Sequence, residues 1–288
     1  MKVLITGASG FIGKALVKEL SQIPNLDVTA ISRNQKLTNN NPGVNWLTGD
    51  LSESHFVNSL SLMDFDKVFH LAWQGLPDRS SDLCKLNLEI SKKFLLGISN
   101  RKEVELNVLG SCLEFGDAMG EILDSTQPKS NDDFGQAKIE LNEFVKSIAV
   151  NYRWFRPFFV FGTGQNPRAL IPSIIESIKR GQPIQINSVD NSHDFIAVED
   201  VAKAISVTSM IKGVYGEINI GTGELTSVGE IARTLYSTNG LKFDQNFNPS
   251  GGFYAESKVL RTLCSWSPKY AGIDGIVQYY KMKLSSNG

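Results

Sequence analysis

Thr6-Gly7-Ala8-Ser9-Gly10-Phe11-Ile12-Gly13 follows the short apolar run Lys2-Val3-Leu4-Ile5 and leads into Lys14-Ala15-Leu16-Val17-Lys18-Glu19-Leu20. Leu16, Val17 and Leu20 fall on one helical face. The order is therefore strand, glycine turn, helix. Such a turn gathers backbone N–H groups and the positive end of a helix dipole at one point, which makes a seat for a pyrophosphate. Gly7 permits the sharp turn, Gly10 lets a phosphate approach the backbone, and Gly13 lets helix and strand pack closely. Ser9, Phe11 and Ile12 complete the loop. Three spaced glycines alone are a weak signal, because turns need glycine. Here the strand, the helix and the place near the start of the chain agree with them.

The same alternation continues outward. Asp27–Ser32 reads as a second strand, 45–47 as a third, 67–72 as a fourth and 106–109 as a fifth. Helical patterns fill 86–98 and 136–148. This rhythm predicts an α/β fold with a doubly wound parallel sheet. Past Phe161 it weakens. Residues 162–167 form a Gly- and Pro-containing loop. Helices are expected over 169–179 and Val198–Met210, with short strands at 184–186 and 217–220. Residues 39–42 and 246–252 read as surface loops. We expect a dinucleotide-binding domain over 1–160 and a smaller α/β substrate-binding part over 161–288, with interleaved boundaries and a cleft between them.

Composition removes several function classes. Lys and Arg number 29 against 30 Asp and Glu, so no field of one sign draws in nucleic acid or an anionic membrane. No apolar stretch is long enough to cross a bilayer. A leader peptide is not expected, because the first strand begins at the second residue. Cys84, Cys112 and Cys264 are odd in number and far apart, so neither a disulfide framework nor a metal site follows from them. His55, His70 and His193 are equally scattered, and no metal is expected. These features imply a reducing, cytoplasmic compartment.

The residue ending the second strand sees the adenosine ribose in a dinucleotide fold. A carboxylate there bonds the 2′-hydroxyl and repels a 2′-phosphate. This chain has Ile31-Ser32-Arg33-Asn34 instead. Ser32 offers a hydroxyl, and Arg33 a positive fork suited to phosphate, so NADP is favoured over NAD. Asp50-Leu51, after the third strand, is placed beside the adenine.

At this point the pattern resembles the extended short-chain dehydrogenase/reductase family, in particular its nucleotide-sugar epimerases, dehydratases and 4-ketoreductases. Beyond the glycine loop, Phe69-His70-Leu71-Ala72 looks like the family's His-Leu-Ala-Ala. Gly110-Ser111-Cys112-Leu113-Glu114-Phe115-Gly116 resembles its serine segment, and Gln136-Ala137-Lys138 sits where its YxxxK helix belongs. Arg156-Pro157-Phe158-Phe159-Val160-Phe161-Gly162 is similar to the strand that follows. His193-Asp194-Phe195, Asn219-Ile220-Gly221-Thr222-Gly223 and Trp266-Ser267-Pro268 extend the likeness nearly end to end. The stretch Ala72-Trp73-Gln74-Gly75-Leu76-Pro77 looks closest to deoxysugar 4-ketoreductases.

The resemblance implies a Rossmann domain in which Leu71, Ala72, Trp73, Lys138 and Pro157 join the glycine loop around the cofactor. It implies hydride exchange with a sugar carbon while a tyrosine handles the proton. A lysine one helical turn later holds the nicotinamide ribose and lowers the phenol pKa. Lys138 matches that lysine, and Ser111 the serine that positions substrate oxygen. Trp73, Gln74, Ser111, Cys112, Glu114, Phe134, Phe159, Arg168 and His193 are the implied substrate contacts. For Glu114 a salt-bridged or solvated loop carboxylate is an equal reading, Arg168 either compensates for His193 from the nearby loop or is a solvated residue at a helix start, Trp73 lines the pocket or packs beneath it, and His70 reads as structural.

The pattern breaks at Phe134, which stands in the tyrosine's place and has no proton to give. Ser111, Asp132, Asp133 or water then remain as proton sources. His193 stands in place of an arginine, without its bidentate fork, and Phe159 in place of an asparagine. The expectation is an NADP-dependent reductase of a nucleotide-activated 4-keto-6-deoxyhexose in surface-polysaccharide synthesis. The alternatives are an epimerase, or a dinucleotide-binding regulatory protein with little or no catalysis. The family implies a homodimer through a helix pair, although an apolar helix face serves equally as internal core.

Overall fold

The computed structural model describes residues 1–34, 43–99, 104–182 and 184–285; the loop read at 39–42 lies outside these. The chain divides into two units. The first holds Met1–Asp117, Ser125–Pro157 and Ala202–Ile218, and the second holds Ala118–Asp124, Phe158–Val201 and the residues from Asn219 on.

The first unit is built on a seven-stranded sheet. Its first five strands are β1 (Lys2–Thr6), β2 (Asp27–Ser32), β3 (Val44–Thr48), β4 (Lys67–His70) and β5 (Glu105–Leu109). The order across the sheet is Gly216–Ile220, Tyr152–Pro157, β5, β4, β1, β2, β3. The pairings from Tyr152–Pro157 through to β3 are parallel. Helices α1 (Phe11–Leu20), α2 (Ser54–Ser61), α3 (Ser81–Ser99) and α4 (Asp133–Ile148) connect them. Val3, Leu4 and Ile5 are fully buried, as a central parallel strand covered on both faces requires. Gly13, Leu16, Val17 and Leu20 form the buried stripe of α1. Leu4, Val68, Leu106 and Trp154 join Phe94, Leu95, Leu141 and Val145 from α3 and α4 in one core.

The fold class matches the sequence expectation, with two local differences. The fourth strand stops at His70, two residues early, because the chain at Leu71 and Ala72 turns across the glycine loop. A Cβ on Gly7 would lie 2.7 Å from Ala72 N. The strand expected at 184–186 is absent. Ile186 N–H donates to Gln245 Oε1 at 3.0 Å and Ile186 O accepts from Gln245 Nε2 at 2.8 Å, so one side-chain amide supplies the partners a neighbouring strand would.

Among the described residues the second unit has only short strand pairs: Phe159–Phe161 with Phe195–Ala197, Ser192–His193 with Thr226–Ser227, and Gly120–Ile122 with Phe253–Ala255. Its core gathers Phe161, Ile174, Ile231, Leu235, Ile276 and Tyr279. Asp194, fully buried, ties the loops together. It accepts from Thr222 N–H and Oγ1, Gly223 N–H and Ala255 N–H. No helix among the described residues is long and apolar enough to cross a membrane.

Candidate functional site

A pocket lies in the first unit beyond the carboxyl ends of β1 and β4, where the strand order reverses. The register sets Thr6 opposite His70. Gly7, at φ +67°, turns the chain from β1 toward α1, and Gly10 N–H closes the turn on Gly7 O at 2.9 Å. Gly10 is the N-cap of α1 and brings no side chain to it, so the first N–H groups, at Phe11 and Ile12, face no capping oxygen. Gly7, Ser9 and Gly10 line the pocket. Gly13 lies behind, where any Cβ would overlap Gly7 O.

The adenosine end is bounded by the loops after β2 and β3. Ser32 lines the pocket, but its hydroxyl is turned into its own loop: it accepts from Asn34 N–H at 3.1 Å and donates to Asn34 O at 3.2 Å. The ligand hydroxyl expected there is therefore a turn former. Arg33 is 61% exposed at the rim, donates to Gln74 Oε1 at 2.8 Å and stands 4.0 Å from Asp50 Oδ2. Asp50 and Leu51 line the same pocket. The Ser52 backbone N–H, received by Asp50 Oδ1, holds the Asp50 carboxyl below its usual range, with Arg33 a smaller contributor. Gln74, expected at the substrate, thus belongs to the rim beside Arg33.

At the end of β4, Leu71, Ala72 and Trp73 form the pocket wall. His70 is buried, stacks on Phe94 at 5.1 Å, and shares a hydrogen bond with Thr6 Oγ1 through Nδ1 at 2.8 Å. Burial, helped by the charge of Lys138, depresses its pKa from 6.5 to about 3. Below pH 6.5 the unfolded chain binds a proton that the folded imidazole refuses until about pH 3, so this stability is present above 6.5 and lost as pH falls through that window. In His70→Asn the loss of unfolding midpoint between pH 7 and pH 5 is expected to be shallower. Parallel urea curves for parent and variant would contradict it. Asn87 is a residue the sequence reading missed. Its amide receives Gln74 N–H at 2.8 Å and donates to Gln74 O at 3.1 Å and Leu83 O at 2.8 Å, pinning the Trp73-Gln74 segment. The available signal was a buried asparagine on the apolar face of α3.

Ser111 opens the short 3-10 turn Cys112–Phe115 as a capping box. Its Oγ accepts Leu113 N–H at 3.2 Å, and Glu114 returns to accept Ser111 N–H at 2.9 Å. Cys112 is buried. Of the two readings of Glu114, the structure takes the salt-bridged one and corrects the substrate contact. Glu114 is fully buried, and its two oxygens also take Trp154 Nε1 at 2.9 and 3.2 Å and Arg156 Nε at 2.7 Å, leaving no face for a ligand. Pro157, in the same strand as Arg156, is buried.

Phe134 and Lys138 share one face of α4, both about 5% exposed. Asp132 N-caps the helix, accepting Gly135 N–H at 3.0 Å. Phe134 meets the Trp73 ring edge-on at 5.5 Å and packs with Cys84 and Ala137. Lys138 Nζ donates to Leu109 O at 2.8 Å and lies 4.0 Å from the Trp73 ring centre. In the second unit Phe159 and His193 stack at 3.8 Å, and burial holds the His193 pKa near 4, so this side chain is neutral at pH 7. Arg168 is exposed, and its N–H closes on Asn166 Oδ1 at 2.9 Å. Among the described residues no group of three or more His, Cys, Asp or Glu is placed to hold a metal.

Known proteins resemble this chain along most of its length. The dTDP-D-glucose 4,6-dehydratase of Bos taurus is 28% identical, covering 81% of this chain and 72% of that one. The dTDP-4-dehydro-6-deoxyglucose reductase of Escherichia coli is 25% identical and covers 97% and 96%. Among solved structures, the UDP-glucuronic acid 4-epimerase of Bacillus cereus in complex with NAD has a TM-score of 0.82 at 23% identity, covering 97% of this chain and 100% of that one, a likeness of fold. The family model of the NAD dependent epimerase/dehydratase family matches residues 3–221, and the chain belongs to that family of enzymes.

Proposed function

We propose that this protein is an NADP-dependent oxidoreductase of nucleotide-activated sugars that reduces the 4-keto group of a 6-deoxyhexose intermediate. The pocket at the reversal of strand order carries the reading. Its backbone approaches closely enough at Gly7 that a side chain is excluded, and uncapped N–H groups open α1, which together suit a pyrophosphate. When bound, the nicotinamide supplies the hydride. Gly7, Gly10, Phe11 and Ile12 would hold the phosphates, Ala72 and Trp73 the nicotinamide side, and Lys138 the ribose. Ser111 would position the sugar oxygen. In this reading Phe159, Arg168 and His193 bind the sugar nucleotide. The reductase of Escherichia coli, similar over nearly the whole chain, agrees with keto reduction, and dehydratase and epimerase relatives match to a comparable degree. The test is oxidation of NADPH by a panel of nucleotide-linked 4-keto-6-deoxy sugars. No turnover with any of them would leave the epimerase reading and the dinucleotide-binding reading, the second of which Phe134 favours.

The NADP preference rests on Arg33 at the rim and on the absence of a carboxylate ending β2. Arg33→Ala is expected to weaken NADPH binding about tenfold, the loss of one exposed charge-assisted contact, with NADH binding unchanged. Calorimetry with both coenzymes checks it. Equal affinities in the parent would refute the preference.

A further inference from the structure

Phe134 leaves the site without the phenol that would exchange a proton with the sugar oxygen, and the structure turns the nearby side-chain alternatives to other uses, so that water or a further side chain remains as the source. Asp132 is committed to the helix: Oδ1 accepts Gly135 N–H and Oδ2 accepts Ser130 Oγ–H. Asp133 is exposed to solvent. Ser111 is an alcohol whose oxygen caps the turn at Leu113. What remains on the Phe134 face of α4, one helical turn along, is Lys138.

Its setting is unlike that of an ordinary lysine. Nζ has one hydrogen-bond acceptor among the described residues, Leu109 O, and otherwise meets the faces of Trp73 at 4.0 Å and Phe134 at 5.8 Å. Among the described residues no carboxylate forms an ion pair with it. Glu114, on the 3-10 turn, is matched to Arg156 from the neighbouring strand. His70, on β4, is held neutral, and burial raises the Cys84 thiol on α3, with Asp133 and Asp132 at the start of α4 adding to it. Burial brings the Lys138 pKa down from 10.5 to about 7, against small opposing pulls from Glu114 and Cys84. Burial favours loss of the proton while the ring faces favour the ammonium; a group balanced in this way near neutral pH has the property a general acid requires.

Resting on the reductase reading above, we propose that Lys138 itself is the proton donor to the sugar oxygen. As the carbonyl carbon gains hydride from the reduced nicotinamide, the C=O pair moves to oxygen. An O–H bond forms there, an Nζ–H bond breaks, and the neutral amine regains its proton from water. Activity in the reductive direction therefore falls as pH rises through the Lys138 pKa.

Lys138→Arg separates this from ribose holding, because guanidinium keeps charge and donors but does not release a proton. Its kcat is expected to fall about 10²–10⁴-fold, with the NADPH dissociation constant, by calorimetry, changed less than about threefold. Adding Phe134→Tyr to Lys138→Arg is expected to recover at least about tenfold, because a phenol then supplies the proton. A readout without turnover is the 13Cε resonance of lysine-labelled protein that disappears in Lys138→Arg; it should titrate near pH 7 with no ligand present. A resonance still protonated above about pH 9 overturns the proposal. So does Lys138→Arg turning over within about threefold of the parent, or a stably folded double variant with no recovery. If the parent reduces no keto sugar, the reductase reading fails and this proposal with it. Turnover that ignores Lys138→Arg removes this proposal alone.

Discussion

Glu114→Ala is expected to lower the unfolding free energy by about 3–5 kcal/mol, the loss typical of removing one partner from a buried ion pair. The carboxylate is completely buried beside Arg156, itself 1% exposed. Removing it strands the guanidinium in a site whose Nη1 already lacks a partner and which is otherwise faced by the Phe115 ring at 5.2 Å. Trp154 Nε1 and Ser111 N–H lose their acceptor at the same moment. Glu114→Gln keeps an acceptor but not the charge, so a smaller loss is expected. The comparison is Glu176→Ala, which breaks a pair with Arg180 that is 52–64% exposed and should cost under about 1 kcal/mol. Urea unfolding of the three variants orders them. If Glu114→Ala and Glu176→Ala fall together, the buried pair is not an anchor. Because the same carboxylate closes the capping box at Ser111, Glu114→Ala should also displace the serine proposed to position substrate.

Glu114 also marks where sequence reading reaches its limit. The glycine loop was legible because its constraints are local: a positive φ at Gly7 and a helix packed on backbone at Gly13 exclude most residue types at those positions. The buried strands were legible because continuous apolar runs between turn signals have few other uses in a βαβ chain. The partners of Glu114, however, lie some forty residues on, at Trp154 and Arg156, and nothing near the glutamate announces them. Ser32 shows the same limit at short range. A hydroxyl at the end of β2 fits a ribose contact or a turn equally well in sequence, and only the geometry of Asn34 decides for the turn. The second unit was harder still, because two- and three-residue strands carry no period, and at 184–186 a glutamine side chain stands in for a strand. Phe134 was read from sequence as a departure from the family pattern. The dryness of Lys138 was not, since it arises where Trp73, Phe134 and Leu113 close over α4.

Gly13→Val is expected to reduce affinity for either nicotinamide coenzyme about 10²–10⁴-fold, the loss of two backbone contacts to a charged phosphate at about 1.5–3 kcal/mol each, less their partial recovery through water. The backbone angle is not the cause, for Gly13 sits within the right-handed helix. Space is. A Cβ at this position would overlap Gly7 O and stand 2.9 Å from both Gly7 C and Ala8 Cα. All three are backbone atoms, so no rotamer change relieves the overlap, and α1 must lift from β1. Lifting it opens the turn that Gly10 N–H closes on Gly7 O and swings the first N–H groups of the helix off the pocket. Gly10→Ala is the informative partner, since its Cβ would meet only Gly7 O at 3.1 Å. That variant should keep most of the parent's thermal stability, because one backbone oxygen need give by only a few tenths of an ångström, while losing affinity if the phosphates sit on this turn as proposed. Gly13→Val should lose both, with about 1–3 kcal/mol of overpacking strain. Calorimetric titration with NADPH and NADH alongside thermal unfolding distinguishes the two. Gly13→Val binding either coenzyme as the parent does would mean that the turn is a structural corner and that the phosphates lie elsewhere.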